Sequence, residues 1–212
     1  MHHPTTTTIP VLARLRALSP RHGLDQATAL AVAENQAALL RLLTDATGIP
    51  MSLDALRRVH GIQLEVVAGL PSSGASYWTG TEWRLEASGQ DHVHRQRFTF
   101  CHEFKHIIDH PVRDLLYPDG RTRERVADHF AACVLMPRDD LTRAWNAGEQ
   151  DPAQLATDFD VSVAAMTRRL LGVGLLDRET AAAFRSAGSF GFALPKPRSF
   201  AIAGDTPIGD TP

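Results

Sequence analysis

Two periods of hydrophobic and polar residues divide the chain into predicted helices and strands. In residues 25–46, leucine, valine and alanine recur at spacings of three and four, which predicts a long amphipathic helix. Asp25 is suited to cap its first turn, and Gly48 and Pro50 are suited to end it. A second, short helix is expected over residues 52–59.

Over residues 62–67 the period changes to two, because apolar and polar residues alternate as they do in a half-buried strand. Residues 77–79 and 83–87 flank Gly80 like the arms of a hairpin. The run Pro-Ser-Ser-Gly at residues 71–74 has the composition of a loop. We therefore expect a small sheet of about three strands.

The second half of the chain returns to helical periods. We expect helices over residues 97–111, 122–136 and 139–147, a pair of helices between 151 and 171, and a last helix over 178–186. Pro111 and Pro137 end the first two of these helices. A few strands together with many helices predict an α+β fold.

Composition excludes several classes of protein. The 212 residues are 43% hydrophobic, carry a formal net charge of -2, and contain no run of about 18 apolar residues that could span a bilayer. No secretory leader is readable at the start, and two cysteines are too few for a disulfide framework, so we expect a cytoplasmic protein. Because basic residues are not in excess, DNA binding is not expected.

An H-E-x-x-H pattern lies in the first helix of the second half. On a helix, His102 and His106 project from one face one turn apart, so both imidazoles can reach one zinc ion. Glu103 points about 100° around the axis, where it can act as the general base. Asp109 and His110 lie too far along the same straight helix to complete the coordination. The alternative is a solvated helix that happens to be rich in histidine.

A catalytic zinc ion takes three protein ligands and keeps one position open, so a third ligand is needed. Glu124 lies on the next predicted helix, and two antiparallel helices can bring it against both histidines. Asp128, one turn further on, is then placed to accept the second N–H of a ligating histidine. The alternative is that Glu124 and Asp128 are surface charges on an amphipathic helix.

Two runs of sequence carry a family resemblance. RQRFTFCHEFKHIIDHP, followed by ERVADHFAACVLMP, resembles the ImmA/IrrE family of bacterial metallopeptidases over about residues 30–176. The family pattern is R-F-T-x-A-H-E-x-G-H followed by E-x-x-A-[ND]-x-F-A-x-x-L-L-M-P. The resemblance implies a zincin-like sheet packed on the H-E-x-x-H helix. It also implies site-specific cleavage of a helix-turn-helix repressor, which relieves repression in mobile-element induction or stress responses.

The resemblance also assigns roles to single residues. It implies one zinc ion held by His102, His106 and Glu124, with Glu103 as the catalytic base. The chain departs from the pattern at Lys105, which replaces glycine and is expected to place a positive charge beside the cleft, and at Cys101, which replaces alanine. Cys101 and Cys133 are expected to be small core residues rather than ligands or nucleophiles.

Two parts of the expected mechanism stay open at this point. The residue that stabilises the oxyanion is not settled, and His129, Tyr117 and His110 are the candidates. We expect the substrate to lie extended along an exposed sheet edge in the hairpin around residues 78–83, where it pairs through main-chain hydrogen bonds.

Residues 154–170 have the form of a helix-turn-helix, in which Ala156 packs inside and Met166 and Leu170 fill the interface. Three aspartates between residues 151 and 160 outweigh Arg168 and Arg169 in charge. Contact with phosphates requires clustered basic residues, so a structural or partner-binding role is favoured over a role in reading DNA.

These observations predict four regions and one function. The regions are an N-terminal tail (1–25), a zincin-like metallopeptidase domain (26–148), a helix-turn-helix-like segment (149–187) and a flexible C-terminal tail (188–212). The predicted function is zinc-dependent endoproteolysis of a helix-turn-helix repressor. The alternative is a non-catalytic, zinc-stabilised regulatory module that binds a protein partner or DNA.

Overall fold

The computed structural model describes residues 10–186, and the backbone of this part forms ten helices and three strands. The helices are α1 (Val11–Arg16), α2 (Gln26–Leu43), α3 (Asp54–Arg57), α4 (Val93–Asp109), α5 (Arg113–Leu116), α6 (Gly120–Leu135), α7 (Arg138–Asn146), α8 (Pro152–Asp158), α9 (Val163–Val173) and α10 (Arg178–Ser186). The strands are β1 (Ile62–Val67), β2 (Gly74–Trp78) and β3 (Trp83–Ser88). The predicted α+β fold is confirmed.

The three strands form one mixed sheet in the order β1-β3-β2. β2 and β3 are antiparallel and form the predicted hairpin, with Gly80 in its connection at a φ of +102° that favours glycine. β1 pairs with β3 in parallel, on the side of β3 opposite β2. β2 is therefore an edge strand of the sheet.

Helix α4 lies at the centre of the core. β2 and β3 pack on it, α6 packs on it as well, and α2 covers α6. All residues from Thr99 to Asp109 are buried, a pattern typical of a helix that is enclosed on every side. Phe104 of α4 and Phe130 of α6 are fully buried and meet with ring centroids 6.4 Å apart. The two helices that carry the predicted metal ligands are thus packed rigidly together.

Side-chain caps fix where the principal helices begin. Asp25, Asp119 and Ser162 each accept a hydrogen bond from the backbone N–H three residues further on. Such a cap contributes about 1 kcal/mol. The predicted cap at Asp25 is confirmed. With Asp119 as its cap, α6 begins at Gly120, two residues before the predicted start, which places Glu124 in the second turn of that helix.

The segment predicted as an N-terminal tail is partly helical and packed. Leu15 of α1 is fully buried, and the Arg16 guanidinium donates to the Ile107 and Ile108 carbonyls at 2.9 and 3.4 Å. These carbonyls belong to the last turn of α4, whose acceptors have no partner within the helix. α1 therefore caps the C-terminal end of the central helix, and its six residues are too few to show a period in the sequence.

The helix-turn-helix-like segment has the predicted internal packing. Ala156, Met166 and Leu170 are buried between α8 and α9. Asp160 adopts a φ of +52° in the turn that joins the two helices. Arg169 docks the segment onto the rest of the chain, because its Nε donates to the Met136 carbonyl at 3.0 Å.

Two sequence predictions concern the ends of the chain and its relation to membranes. The predicted tail at residues 188–212 lies outside the described residues. Among the described helices, none combines the length and the apolar character needed to cross a bilayer.

Candidate metal centre

Three ligand atoms converge where α4 packs on α6. His102 Nε2 lies 3.0 Å from His106 Nε2 and 3.2 Å from Glu124 Oε2. His106 Nε2 lies 3.6 Å from Glu124 Oε1. One ligand atom from each of the three residues falls within 4.8 Å of the others. The structure thus brings together the two histidines of the motif and the carboxylate predicted as their partner.

The geometry of these atoms fits a small tetrahedral cation. Ligands about 2.1 Å from a tetrahedral zinc ion lie roughly 3.4 Å from one another. The two histidine nitrogens are 3.0 Å apart and lie 3.2 and 3.6 Å from one or the other oxygen of Glu124, all close to that value. Two imidazole nitrogens and one carboxylate are also the donor set of a catalytic zinc site with an open fourth position. The donor set therefore fits zinc.

The predicted outer carboxylate is in place. His102 Nδ1 lies 2.9 Å from Asp128 Oδ1 and can donate its proton to that carboxylate, while Nε2, on the other side of the ring, faces His106 and Glu124. Burial opposes a charge on His102, but hydrogen bonds to Asp128 and Glu124 raise the pKa of His102 to about 9. A metal ion that binds here replaces a proton, so the two compete.

Replacing Asp128 by Asn is expected to lower the affinity for zinc by about 10- to 100-fold, because the amide is a weaker acceptor and no longer fixes the tautomer. The measurement is competition for zinc against a chromophoric chelator, with both proteins folded by circular dichroism. Asp139→Asn, on the exposed surface of α7, is the matched control and should leave the affinity unchanged. Equal affinities in the two variants would show that Asp128 has no part in the site.

Glu103 is held from the sheet side of α4. Its Oε2 accepts a hydrogen bond from Ser76 Oγ at 2.8 Å, and its Oε1 is buried without a hydrogen-bond partner among residues 10–186. Gly74 allows this approach, because a Cβ at that position would lie 2.2 Å from Thr99 Cγ2. Sequence reasoning missed Gly74 and Ser76. Their signal is the period of two in β2, which turns both residues toward α4.

The three candidates for the oxyanion donor lie in different places. His129 Nε2 is 3.8 Å from Glu34 Oε2, so it faces α2 rather than the metal ligands. The Tyr117 hydroxyl donates to Asp109 Oδ2. His110 stands edge-on to Trp83, and both rings line the same hollow as His106. Of the three, His110 is the one that lines the hollow beside His106.

Lys105 does not stand in the cleft, contrary to the expectation from sequence. Its side chain is 1% exposed, and its Nζ donates to Asp109 Oδ1. The Tyr117 hydroxyl contacts the other oxygen of the same carboxylate. The charge of Lys105 is therefore neutralised inside the protein, one turn away from its partner on the same helix.

A second cluster of candidate ligands consists of Glu34, His129 and Cys133. Two guanidinium groups already contact Glu34: Arg169 Nη2 at 3.2 Å and Arg138 Nε at 3.5 Å. These cations occupy the carboxylate and oppose a metal ion beside it. Burial also raises the pKa of the Cys133 thiol to about 12. Cys133 is therefore a core residue, as expected.

Comparison with known families agrees with this geometry. A family model of M78 peptidases, described as the IrrE N-terminal-like domain, matches residues 60–171, which is just over half of the chain. The chain belongs to this family. The matched region runs from the residues before β1 into α9, so it includes the sheet, α4 and α6. Membership in a family of metallopeptidases implies a metal ion, and the three converging residues offer it a site.

A solved structure has a similar fold. It is that of a Mycobacterium tuberculosis transcriptional regulator, with a TM-score of 0.50 and 16% sequence identity. The similarity covers 76% of this chain and 51% of the regulator, so the chain spans about half the length of that protein. Among curated proteins, none matches the chain significantly.

Proposed function

We propose that this member of the M78 peptidases is a zinc-dependent endopeptidase that cleaves a helix-turn-helix transcriptional repressor. The observation that carries the proposal is the convergence of His102, His106 and Glu124, with Glu103 directly after His102 on α4. Hydrolysis of a peptide bond requires an electrophilic centre and a general base; a zinc ion held by the three ligands would be the first, and Glu103 is placed to be the second.

The protein residues divide the chemistry among them. His102, His106 and Glu124 would hold the zinc ion, which when bound polarises the scissile carbonyl and lowers the pKa of water in the site. Glu103 takes a proton from the attacking water and passes it to the leaving amine. Ser76 occupies one oxygen of Glu103, which leaves Oε1 for the proton.

Edge strand β2 offers backbone groups to an extended substrate. The Ser88 N–H donates to the Ser73 carbonyl, so residue 73 directs its polar groups toward β3. This direction alternates along an antiparallel strand, and Gly74, Ser76 and Trp78 therefore turn their N–H groups toward the open edge. A substrate strand paired there would lie beside Glu103, which Ser76 contacts.

Replacing Trp78 by Pro removes the outermost of these N–H groups and is expected to lower kcat/KM by about five- to tenfold, the value of one hydrogen bond. Trp78→Ala is the matched control, because it removes the indole ring and keeps the N–H. Proline is tolerated on an edge strand where the N–H faces outward, so the sheet should persist. Equal rates for the two variants would argue against pairing of the substrate with β2.

The decisive experiment incubates the zinc-loaded chain with the helix-turn-helix repressor encoded nearest to its gene. We expect two fragments whose masses add up to that of the repressor plus one water molecule, and we expect a chelator to prevent their formation. Binding of an intact repressor without any cleavage would favour the alternative, a zinc-stabilised regulatory module.

Arg169 is 5% exposed and bonded to Glu34, which leaves little basic surface on α9 for DNA.

A further inference from the structure

Two tryptophans form an aromatic surface at one end of edge strand β2. Trp78 on β2 and Trp83 on β3 lie directly opposite each other in the antiparallel register, and their ring centroids are 5.5 Å apart. Trp78 is 51% exposed, although tryptophan is highly buried on average. Trp83 is partly buried, and its ring also contacts that of His110, with centroids 5.0 Å apart. We call Trp78 and Trp83 together the aromatic platform.

The aromatic platform lies on the face of the sheet that holds Glu103. Side chains alternate between the two faces of a strand, so Trp78 shares a face with Ser76. Ser76 is the residue whose Oγ donates to Glu103 Oε2 at 2.8 Å. Trp83 lines the same hollow as Ser76 and His106. The platform therefore adjoins the candidate metal centre.

Strand β2 runs along helix α4 in the same direction. Gly74 lies against Thr99 in the first half of the helix. Ser76 contacts Glu103, which is four residues further along, and the aromatic platform reaches His110, directly after the last residue of α4. Two residues of a strand and four of a helix both advance by about 6 to 7 Å, so these contacts follow one another in order. A peptide paired with β2 thus passes from Glu103 to the platform within two residues.

An extended substrate on this edge has a defined position relative to the platform. The polar groups of β2 that face outward belong to Gly74, Ser76 and Trp78, so the backbone of a substrate can pair with them. Residues directly opposite in an antiparallel pair turn their side chains to the same face, with Cα atoms about 5.5 Å apart. The substrate residue opposite Trp78 therefore places its side chain against the platform. It stands two residues before the substrate residue opposite Ser76.

We propose that the aromatic platform is a specificity subsite that binds an aromatic side chain of the substrate, two residues before the residue that pairs with Ser76. A third ring stacked on the exposed face of Trp78 removes apolar surface of both partners from water. Tryptophan is enriched among the residues that dominate binding, because its rigid ring offers a large contact area with little loss of conformational entropy. This subsite rests on the proposed peptidase function, because pairing with β2 sets its position.

The alternative is that the two tryptophans only stabilise the hairpin, as cross-strand aromatic pairs do. A role in the hairpin alone affects every ligand of the edge equally. A subsite affects only those ligands that carry an aromatic residue at the right position. The two roles are therefore separated by comparing ligands on the same protein.

Peptide hydroxamates make this comparison by binding alone. The parent compound is acetyl-tetra-alanine hydroxamate, which anchors on zinc and places its last residue opposite Ser76. A second compound carries phenylalanine two residues before the last one, and a third carries phenylalanine one residue before it. Affinities for the full, zinc-loaded chain are measured by calorimetry. We expect the second compound to bind about tenfold more tightly than the parent, and the third, whose ring turns to the opposite face, to bind within about twofold of it.

Variants of β2 connect this preference to the platform. Trp78→Ala keeps the backbone N–H and should reduce the preference to less than about twofold, while binding of the parent compound stays within about twofold. Trp78→Tyr restores a ring and should recover much of the preference. Tyr77→Ala removes a ring from the opposite face of the same strand, where Tyr77 contacts Glu86, and is the matched control that should keep the full preference. Circular dichroism and zinc content, measured alongside, show whether the fold and the metal site persist.

The outcomes separate this inference from the proposed function. Equal affinity for the three compounds, a preference that survives Trp78→Ala, or no binding to the zinc-loaded chain overturns the subsite. An equal loss of affinity for all compounds in Trp78→Ala assigns the tryptophans to the hairpin and overturns it as well. Repressor cleavage is scored separately, so cleavage without a phenylalanine preference leaves the peptidase standing. A preference without cleavage leaves the subsite on a binding protein.

Discussion

Replacing Glu103 by Gln is expected to slow repressor cleavage by about 10³-fold and to leave the zinc content near one ion per chain. General acid–base catalysis contributes about 10²- to 10⁴-fold, and an amide cannot accept the proton that hydrolysis releases. The substitution keeps the shape of the side chain and an oxygen that can accept from Ser76 Oγ, now 2.8 Å from the carboxylate. Fragment formation followed by mass spectrometry gives the rate.

Glu179→Gln, an exposed substitution on α10, controls for the loss of a glutamate in general and should leave the rate unchanged. Thermal unfolding of the Glu103 variant with and without zinc shows whether the fold and the metal site persist. A variant that holds zinc and still cleaves at the native rate would remove Glu103 from the mechanism. A wild-type chain that binds the repressor and never cleaves it would leave the regulatory module.

The two histidines of the candidate metal centre could be predicted from the sequence because their shared face depends on local geometry. Two histidines four residues apart on a helix must share a face, whatever surrounds the helix. The contact of Glu124 with these histidines depends on tertiary packing, because α4 and α6 have to pack against each other in one particular register. From the sequence, two antiparallel helices only allowed this contact, and the family resemblance implied it.

The remaining parts of the site depend on tertiary packing. Ser76 contacts Glu103 because β2 lies across α4, and Gly74 leaves room for that approach. The period of two in β2 places both residues on one face of the strand but does not say which helix that face meets. The prediction that Lys105 stands beside the cleft was wrong. It was based on the adjacent residue in the sequence, His106, which is a candidate ligand, whereas the side chain of Lys105 contacts Asp109 one helical turn further on. Lys105 and Asp109 stand at i and i+4, so the ion pair itself was readable from the sequence.

Replacing Glu124 by Ala is expected to lower the affinity for zinc by more than about 100-fold, the upper end of the loss that follows removal of an outer carboxylate. Burial opposes charge on Glu124, yet hydrogen bonds from His102 and His106 hold the pKa of Glu124 well below its usual range. The carboxylate is therefore ionised and ready to coordinate at neutral pH. Elemental analysis should give about one zinc ion per native chain and little in the variant.

Thermal stability provides an independent measure of the same site. A ligand present at 100 times its Kd stabilises the folded state by about 2.7 kcal/mol, so zinc should raise the Tm of the native chain by several degrees. The Glu124→Ala variant should show no such shift, whereas Arg125→Ala, exposed on the next position of α6, should respond like the native chain. A native chain that takes up no zinc after reconstitution would refute the metal centre, and the peptidase proposal depends on that centre.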